Sequence, residues 1–193
     1  SGAAYELLGA DDPRLAVTRD PAVSRRRLLD ARLEGDRAAE RDRVLDLLDL
    51  HGVSLADRTT APGHLTGSAL VVDAAGERVV VLLHTKLRRW LQPGGHADGD
   101  HELAGVALKE ATEETGIEGL RVLVPAVDLD VHEVDHGDAL GLHLHLDLRF
   151  AVVAPAAAVV PAAGAAPQAP VEAVTPPAVV PADLVPQHVV VLG

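Results

Sequence analysis

Apolar and polar residues alternate most regularly over residues 141–153, which predicts a strand. One side of this strand carries Leu142, Leu144, Leu146, Leu148 and Phe150. The other side carries His143, His145, Asp147 and Arg149. Because successive side chains of a strand point to opposite faces, the wholly apolar side is predicted to be the buried one. The two histidines then lie on the less buried side, where we expect them to line a substrate pocket.

Shorter apolar runs predict the remaining strands. Leu65–Val72 and Arg78–His84 flank the turn residues 73–76, which is typical of a hairpin. Residues 120–131 predict one or two further strands around Pro125.

Leucine and valine recur at helical spacing between Pro21 and Leu50, which predicts one or two amphipathic helices interrupted at Gly35. Another helix is predicted from Glu102 to Thr115. Gly116 follows it directly and is a suitable C-terminal residue for a helix.

These elements divide the chain into three parts. Residues 1–62 are predicted to form an N-terminal helical extension, and residues 63–154 an α/β core. Residues 155–193 hold eight of the thirteen prolines and are rich in Ala and Val. Proline at this density excludes a long helix, so we expect an extended segment packed on the core.

The composition excludes several functional classes. The 193 residues carry a formal net charge of -12 and contain one Trp, one Tyr and one Phe, so nucleic acid and anionic membranes are unfavourable partners. The absence of Cys excludes disulfides, thiolate zinc sites and Cys nucleophiles. No apolar run is long enough to span a bilayer, and a cytoplasmic protein is expected.

Three acids on the predicted helix after residue 102 suggest metal chemistry. At about 100° per residue, Glu110, Glu113 and Glu114 fall on or beside the apolar face, whereas Glu102, Lys109 and Thr112 lie opposite. Three neighbouring carboxylates repel one another, and a divalent cation removes that penalty. A solvated acidic face is the alternative interpretation.

The loop before this helix supports the metal hypothesis. Pro93-Gly94-Gly95 forces a tight bend that brings bare backbone close to the start of the helix. A backbone carbonyl there can point into the acidic site, and amide groups can meet a phosphate.

The segment Gly95–Ile117 resembles the Nudix box, G-x5-E-x7-R-E-U-x-E-E-x-G-U, in which U is apolar. Gly95, Glu110, Glu113, Glu114, Gly116 and Ile117 fall on fixed positions, and Ala111 serves as U. The resemblance implies an α/β/α sandwich with a mixed sheet. It also implies an enzyme that hydrolyses a diphosphate linkage in a small-molecule nucleoside diphosphate derivative.

The same resemblance implies roles for individual residues. Glu110 and Glu114 would be metal ligands together with the backbone carbonyl of Gly94, and Glu113 would be a further ligand or would hold a metal-bound water. The expected ion is Mg²⁺, with Mn²⁺ as an alternative. Glu110, Glu113 and Glu114 are thus the predicted catalytic residues.

Two positions depart from the box. His101 stands where the family has Glu, and Lys109 stands where it has Arg, and these two cannot form the same ion pair. Asp98 or Asp100 could substitute by reaching Lys109. The departures favour an alternative: a catalytically impaired Nudix-like module that binds nucleotides or regulates.

Residues outside the acidic helix complete the prediction. Those predicted to bind substrate are Lys86, Arg88, Arg89, Trp90, Gly95, His143 and His145. The basic residues could instead form a solvated loop, and Trp90 could serve as core packing. A catalytic base can come from a later loop, where Glu133, Asp135 and Asp138 are candidates.

The sequence leaves two alternative functions and the oligomeric state open. A protein unrelated to hydrolysis would bind zinc at His143 and His145. An isomerase acting on a diphosphate lipid precursor would lack its usual Cys. The charged N-terminal helices could support a homodimer.

Overall fold

The computed structural model describes residues 4–84, 89–135, 141–156 and 158. Nine strands and three helices are defined there: β1 (Glu6–Gly9), α1 (Pro21–Asp30), α2 (Asp36–His51), β2 (Gly63–Val72), β3 (Val79–Val80), β4 (Leu82–His84), β5 (Arg89–Leu91), β6 (Gly94–His96), α3 (Leu103–Thr115), β7 (Arg121–Val124), β8 (Asp128–Asp135) and β9 (Leu142–Val153). Short 3₁₀ helices span Pro13–Leu15 and Gly52–Ala56. Nearly all of the predicted C-terminal segment, residues 155–193, lies outside the described residues.

Seven strands form one mixed sheet, which confirms the predicted α/β fold class. The order is β1-β7-β9-β2-β3, with β6 also paired to β2 and β8 to β9. β2 and β9 run parallel over ten residue pairs, from Gly63 opposite Leu144 to Val72 opposite Val153, and the other pairs are antiparallel. Both long central strands therefore contribute side chains to the same two faces of the sheet.

The apolar face of the sheet is buried under the helices. Leu146, Leu148 and Phe150 of β9 pack in one core that includes residues of α2 and α3. Gly67 of β2 lies so close to α3 that an added Cβ would meet the carbonyl oxygen of Leu103 at 2.8 Å. α3 is thus held directly against the central strands.

The opposite face is polar near the middle of the sheet, and we call it the polar face. Its side chains are His64, Thr66 and Ser68 of β2, His96 of β6, Asp128, Asp130 and His132 of β8, and His143, His145, Asp147 and Arg149 of β9. The prediction that β9 is buried on its leucine side alone was wrong, because His143 and Asp147 are buried as well and Leu142 is exposed.

The N-terminal part contains the two predicted helices and one strand that was not predicted. α1 begins after Asp20, whose carboxylate accepts from the N–H of Ala22, and α2 begins after Gly35, whose φ of 55° favours glycine. β1 pairs with β7 at the edge of the sheet, and its Leu8 is buried in the main core. The segment before Pro62 is therefore part of the same sheet and core as the strands after it.

The predicted hairpin is present, but its second strand is shorter than expected. β2 and β3 pair at Val71–Val80 and Val72–Val79, around the turn whose Asp73 side chain accepts from the backbone of Glu77 and Arg78. The chain then leaves β2, because residues 82–84 pair with β5 in a separate two-stranded sheet. Among the described residues, the helices are too short or too polar to cross a membrane.

Candidate metal and phosphate site

The helix α3 ends at Thr115 as the sequence predicts and begins one residue later than predicted, at Leu103. Glu102 precedes it as N-cap, and its side chain accepts from the N–H of Ala104 at 3.2 Å. Gly116 ends it in the left-handed conformation, with φ 66°. These caps fix the length of the helix that carries the three glutamates.

The three acids emerge from the protein near the end of α3. The Glu110 side chain is 21% exposed, the Glu113 side chain is 60% exposed, and Glu114 is exposed. These acids were predicted on or beside the buried face; Glu110 is largely buried, whereas the side chains of Glu113 and Glu114 reach solvent. In the second half of α3 the buried stripe narrows to Ala111 and Thr115, so the neighbouring positions reach solvent. A hydrated cation can therefore approach these carboxylates.

The glycine bend contacts two of these acids. The carboxylate of Glu110 lies against Gly95, where an added Cβ would be 2.6–2.9 Å from its carbon and oxygens. The N–H of Gly94 donates to Glu114 Oε2 at 3.0 Å. Bare backbone and two carboxylates thus converge, and this oxygen-rich donor set suits Mg²⁺ or Mn²⁺.

Lys109 contacts the acids directly. Its Nζ lies 3.6 Å from Glu110 Oε1 and 3.8 Å from Glu113 Oε2. The expectation that Asp98 or Asp100 would pair with Lys109 was wrong. Asp98 instead accepts from Arg58 Nε at 2.8 Å, and this hydrogen bond lowers the pKa of Asp98.

Asp100 has a structural role in the loop. Its Oδ1 accepts from the backbone N–H of Thr18 at 3.0 Å and from that of Glu102 at 2.9 Å. The backbone N–H of His101 donates to the Thr18 carbonyl at 2.7 Å. The loop that precedes α3 is therefore joined to Thr18 of the N-terminal segment by two hydrogen bonds, and the third lies within the loop.

His101, the first departure from the box, is fully buried. Its Nδ1 lies 2.8 Å from Ser24 Oγ of α1, and its Nε2 lies 3.0 Å from the carbonyl oxygen of Val53. This position thus connects the loop to α1 and to the 3₁₀ helix after α2.

The next residue, Glu102, was predicted on the exposed side of the helix, and this was wrong. Its side chain is 1% exposed and pairs with Arg27 of α1 through two hydrogen bonds, Nε to Oε1 at 2.9 Å and Nη2 to Oε2 at 3.0 Å. Burial of a carboxylate is tolerated when a guanidinium satisfies both of its oxygens. An ion pair to α1 thus fixes the start of α3.

Other predicted site residues lie elsewhere or beyond the described residues. Trp90 is partly buried and packs against an apolar cluster of β2 and β3. Glu133 and Asp135 are exposed near the end of β8. Lys86, Arg88 and Asp138 lie outside the described residues, and so does the side chain of Arg89.

His143 and His145 project from the polar face as β9 alternation predicts. The ring of His145 lies 5.0 Å from that of His64 and 5.1 Å from that of His96, measured between centroids. The ring of His143 lies 5.9 Å from that of His64. His64 and His96 were missed by sequence reasoning, although His64 alternates with Thr66 and Ser68 on one side of β2.

An ion-pair network on the polar face was also missed. Arg149 donates to Asp147 at 3.0 Å, to Asp128 at 3.3 Å and to Asp130 at 2.8 Å. Burial raises the pKa of Asp128, whereas the close contact with His132 Nδ1 lowers the pKa of Asp130. Asp147 also accepts from the hydroxyls of two residues on β2, Thr66 and Ser68. This network connects β2, β8 and β9 in one rigid polar layer.

Comparison with known proteins shows similarity to a distant relative. The chain is 32% identical over 76 residues to m7GpppN-mRNA hydrolase NUDT17 of Danio rerio. That relative is a Nudix hydrolase. The match covers 37% of this chain and 25% of the relative, so the chain spans about a quarter of the length of the curated protein it resembles. No family model matches the chain.

Proposed function

We propose that this protein hydrolyses a diphosphate linkage in a nucleoside diphosphate derivative, in a reaction that depends on Mg²⁺ or Mn²⁺. The observation that carries the proposal is the convergence of Glu110 and Glu114 on the Gly94-Gly95 bend. The distant similarity to a Nudix hydrolase supports diphosphate hydrolysis as the general type of reaction.

The proposed reaction would use the glutamates as metal ligands and the glycine bend as a phosphate-binding backbone. Glu110 and Glu114, with Glu113 one turn from Glu110, would hold the cation through carboxylate oxygens, and the Gly94 carbonyl is the backbone ligand proposed beside them. When bound, the cation supplies neutralisation of the diphosphate and activation of water. The glycine bend keeps side chains away, so a phosphate can approach the backbone.

Lys109 would shift during metal binding. Its ammonium group lies beside Glu110 and Glu113 and reduces their mutual repulsion. The side chain is 65% exposed, so it can turn into solvent when a cation takes its place. It could then meet a substrate phosphate as a point charge.

Activity measurements on variants test this function. Release of phosphate esters is measured over a panel of nucleoside diphosphate compounds, with and without Mg²⁺. Loss of a residue that hydrogen-bonds a metal ligand typically reduces activity about 10–100-fold. Glu110 and Glu114 are proposed as direct ligands, so Glu110→Gln and Glu114→Gln should reduce activity by at least about 100-fold. Glu118→Gln is the matched control, because Glu118 is an exposed acid beyond the end of α3.

A second candidate function is binding without turnover, in a catalytically impaired module. The observation that favours it is Lys109, which occupies the space between two of the proposed ligands. Nucleotide binding without Mg²⁺-dependent turnover on any compound would support this candidate and would refute the hydrolase.

A further inference from the structure

Three histidines from three different strands meet on the polar face. The centroids of their rings form a nearly equilateral triangle: 5.1 Å for His64–His96, 5.0 Å for His64–His145 and 5.1 Å for His96–His145. One potential ligand nitrogen from each ring lies within 4.8 Å of the other two. Packing alone does not require three imidazoles at one point, whereas imidazole is a common ligand of transition metals.

We propose that His64, His96 and His145 form a transition-metal site, with Zn²⁺ as the expected ion. Around a tetrahedral Zn²⁺ with Zn–N bonds of about 2.0–2.1 Å, ligand nitrogens are roughly 3.3 Å apart. Small rotations of the imidazole side chains close the remaining gap from 4.8 Å. Three protein ligands leave the fourth position for water, a carboxylate or a phosphate oxygen.

The strands hold the three ligands in a fixed arrangement. His64 and His145 are directly opposite in the parallel β2–β9 register, and His96 on β6 is opposite Thr66, two residues along β2 from His64. His64 is completely buried. Ligands on paired strands are positioned more accurately than ligands on loops, which favours metal binding without a large rearrangement.

The choice of metal follows from the ligand atoms. Imidazole nitrogen suits Zn²⁺, Cu²⁺ and Ni²⁺, whereas Mg²⁺ requires oxygen ligands. The triangle therefore does not compete for the cation that the glutamates would bind. The sequence suggested His143 and His145 as a possible zinc-binding pair. The proposed site contains His145 but not His143, and His64 and His96 are its other two ligands.

Negative charge lies close to the triangle. The ring of His132 is 5.5 Å from the ring of His145, and His132 Nδ1 lies 2.9 Å from Asp130 Oδ2. Asp130 and the neighbouring Asp147 bring two carboxylates to the same polar face. Arg149 pairs with both carboxylates, and His132 links Asp130 to the triangle as an outer contact of the proposed site.

The proposed histidine site is adjacent to the proposed glutamate site but does not depend on its function. Gly95 and His96 are consecutive on β6, so they face opposite sides of the strand. Gly95 lies on the side of β6 that faces Glu110, whereas the side chain of His96 lies on the other side and belongs to the triangle.

Metal binding by the full chain tests the proposal. After removal of metals with a chelator, Zn²⁺ is titrated in competition with a chromophoric chelator, and Co²⁺ is used as a spectroscopic probe. We expect one tightly bound equivalent of Zn²⁺, and an intense visible Co²⁺ spectrum typical of four-coordination. A weak six-coordinate Co²⁺ spectrum, or no Zn²⁺ retained, would overturn the proposal whatever the variants do.

Variants assign the ligands. His96→Gln and His145→Gln should each weaken Zn²⁺ binding by at least about 100-fold, since loss of even an indirect partner costs about 10–100-fold. The matched controls are His143→Gln, on the same face of β9, and Glu114→Gln, in the other site; both should retain wild-type affinity. Unfolding midpoints measured in chelator verify that each variant folds. Equal loss in His143→Gln, or loss confined to Glu114→Gln, would refute the assignment.

Discussion

The ion pair between Arg27 and Glu102 makes α3 dependent on the N-terminal helices, and replacing Arg27 tests this dependence. The Arg27→Met variant keeps much of the aliphatic stem of the side chain but removes the guanidinium. Glu102, which is 1% exposed, is then left without the guanidinium that satisfies both of its carboxylate oxygens. The same carboxylate caps α3, so the start of the helix that carries the proposed ligands should loosen.

The expected loss is large. Removal of one partner from a buried ion pair typically lowers the free energy of unfolding by about 3–5 kcal/mol. Because 1 kcal/mol shifts the unfolding midpoint of a chain of this size by about 2–4 °C, the midpoint should fall by roughly 6–20 °C. Chemical denaturation at pH 7 gives the free energy, and calorimetry gives the midpoint.

Two further variants make the measurement specific. Arg26→Met is the matched control, because Arg26 is the preceding residue of α1 and is exposed. It should change the free energy of unfolding by less than about 0.5 kcal/mol. Combining Arg27→Met with Glu102→Gln should recover part of the loss, since the neutral amide can still cap α3. Equal effects of Arg27→Met and Arg26→Met would refute the reasoning.

Three other changes test separate parts of the structure. Gly95→Ala places a Cβ within 2.9 Å of the Glu110 carboxylate, so Mg²⁺-dependent turnover should fall at least about 10-fold. Circular dichroism should show that the fold is retained. Unchanged turnover would mean that the close contact between Gly95 and Glu110 is not required. Arg149→Met leaves Asp147 with only its hydroxyl partners, and Asp128 and Asp130 then share Arg37 as their arginine. The free energy of unfolding should fall by about 3–5 kcal/mol in urea titrations, and a change below about 1 kcal/mol would contradict the network. The pKa of Asp130 is lowered by its close contact with His132 Nδ1. The contribution of Asp130 to the free energy of unfolding is therefore complete above the unfolded pKa of about 3.9 and is lost as pH falls through the lower folded pKa. Asp130→Asn should therefore flatten the acid side of the stability profile between pH 5 and pH 2, and an unchanged slope there would argue against that contribution.

The elements near the site could be predicted because each leaves a local signal. Strict alternation defined β9, and a glycine directly after an apolar periodic run marked the end of α3 at Gly116. The Pro-Gly-Gly sequence marked the bend before the helix. Such signals depend on a few neighbouring residues and do not require knowledge of the fold.

The burial of individual polar residues could not be predicted in the same way. Glu102 looked exposed because a helical projection shows only the helix itself, and its partner Arg27 is 75 positions away. β1 was missed because four residues at a sheet edge carry too little periodicity to distinguish a strand. The histidine triangle depends on the register of three strands, which no single segment encodes.

The departures from the box are better explained by relocation of an interaction than by its loss. In the family the Glu and Arg of the box stabilise the geometry of the loop and helix, whereas here His101 and Glu102 bind Ser24 and Arg27 of α1. The loop therefore obtains its support from outside the box. Lys109 therefore does not stabilise the start of α3. Its ammonium group lies among the proposed ligands instead, next to Glu110 and Glu113. The absence of the Glu–Arg pair of the box that this segment resembles is consequently weak evidence against the proposed activity. The geometry of the proposed glutamate site depends instead on α1.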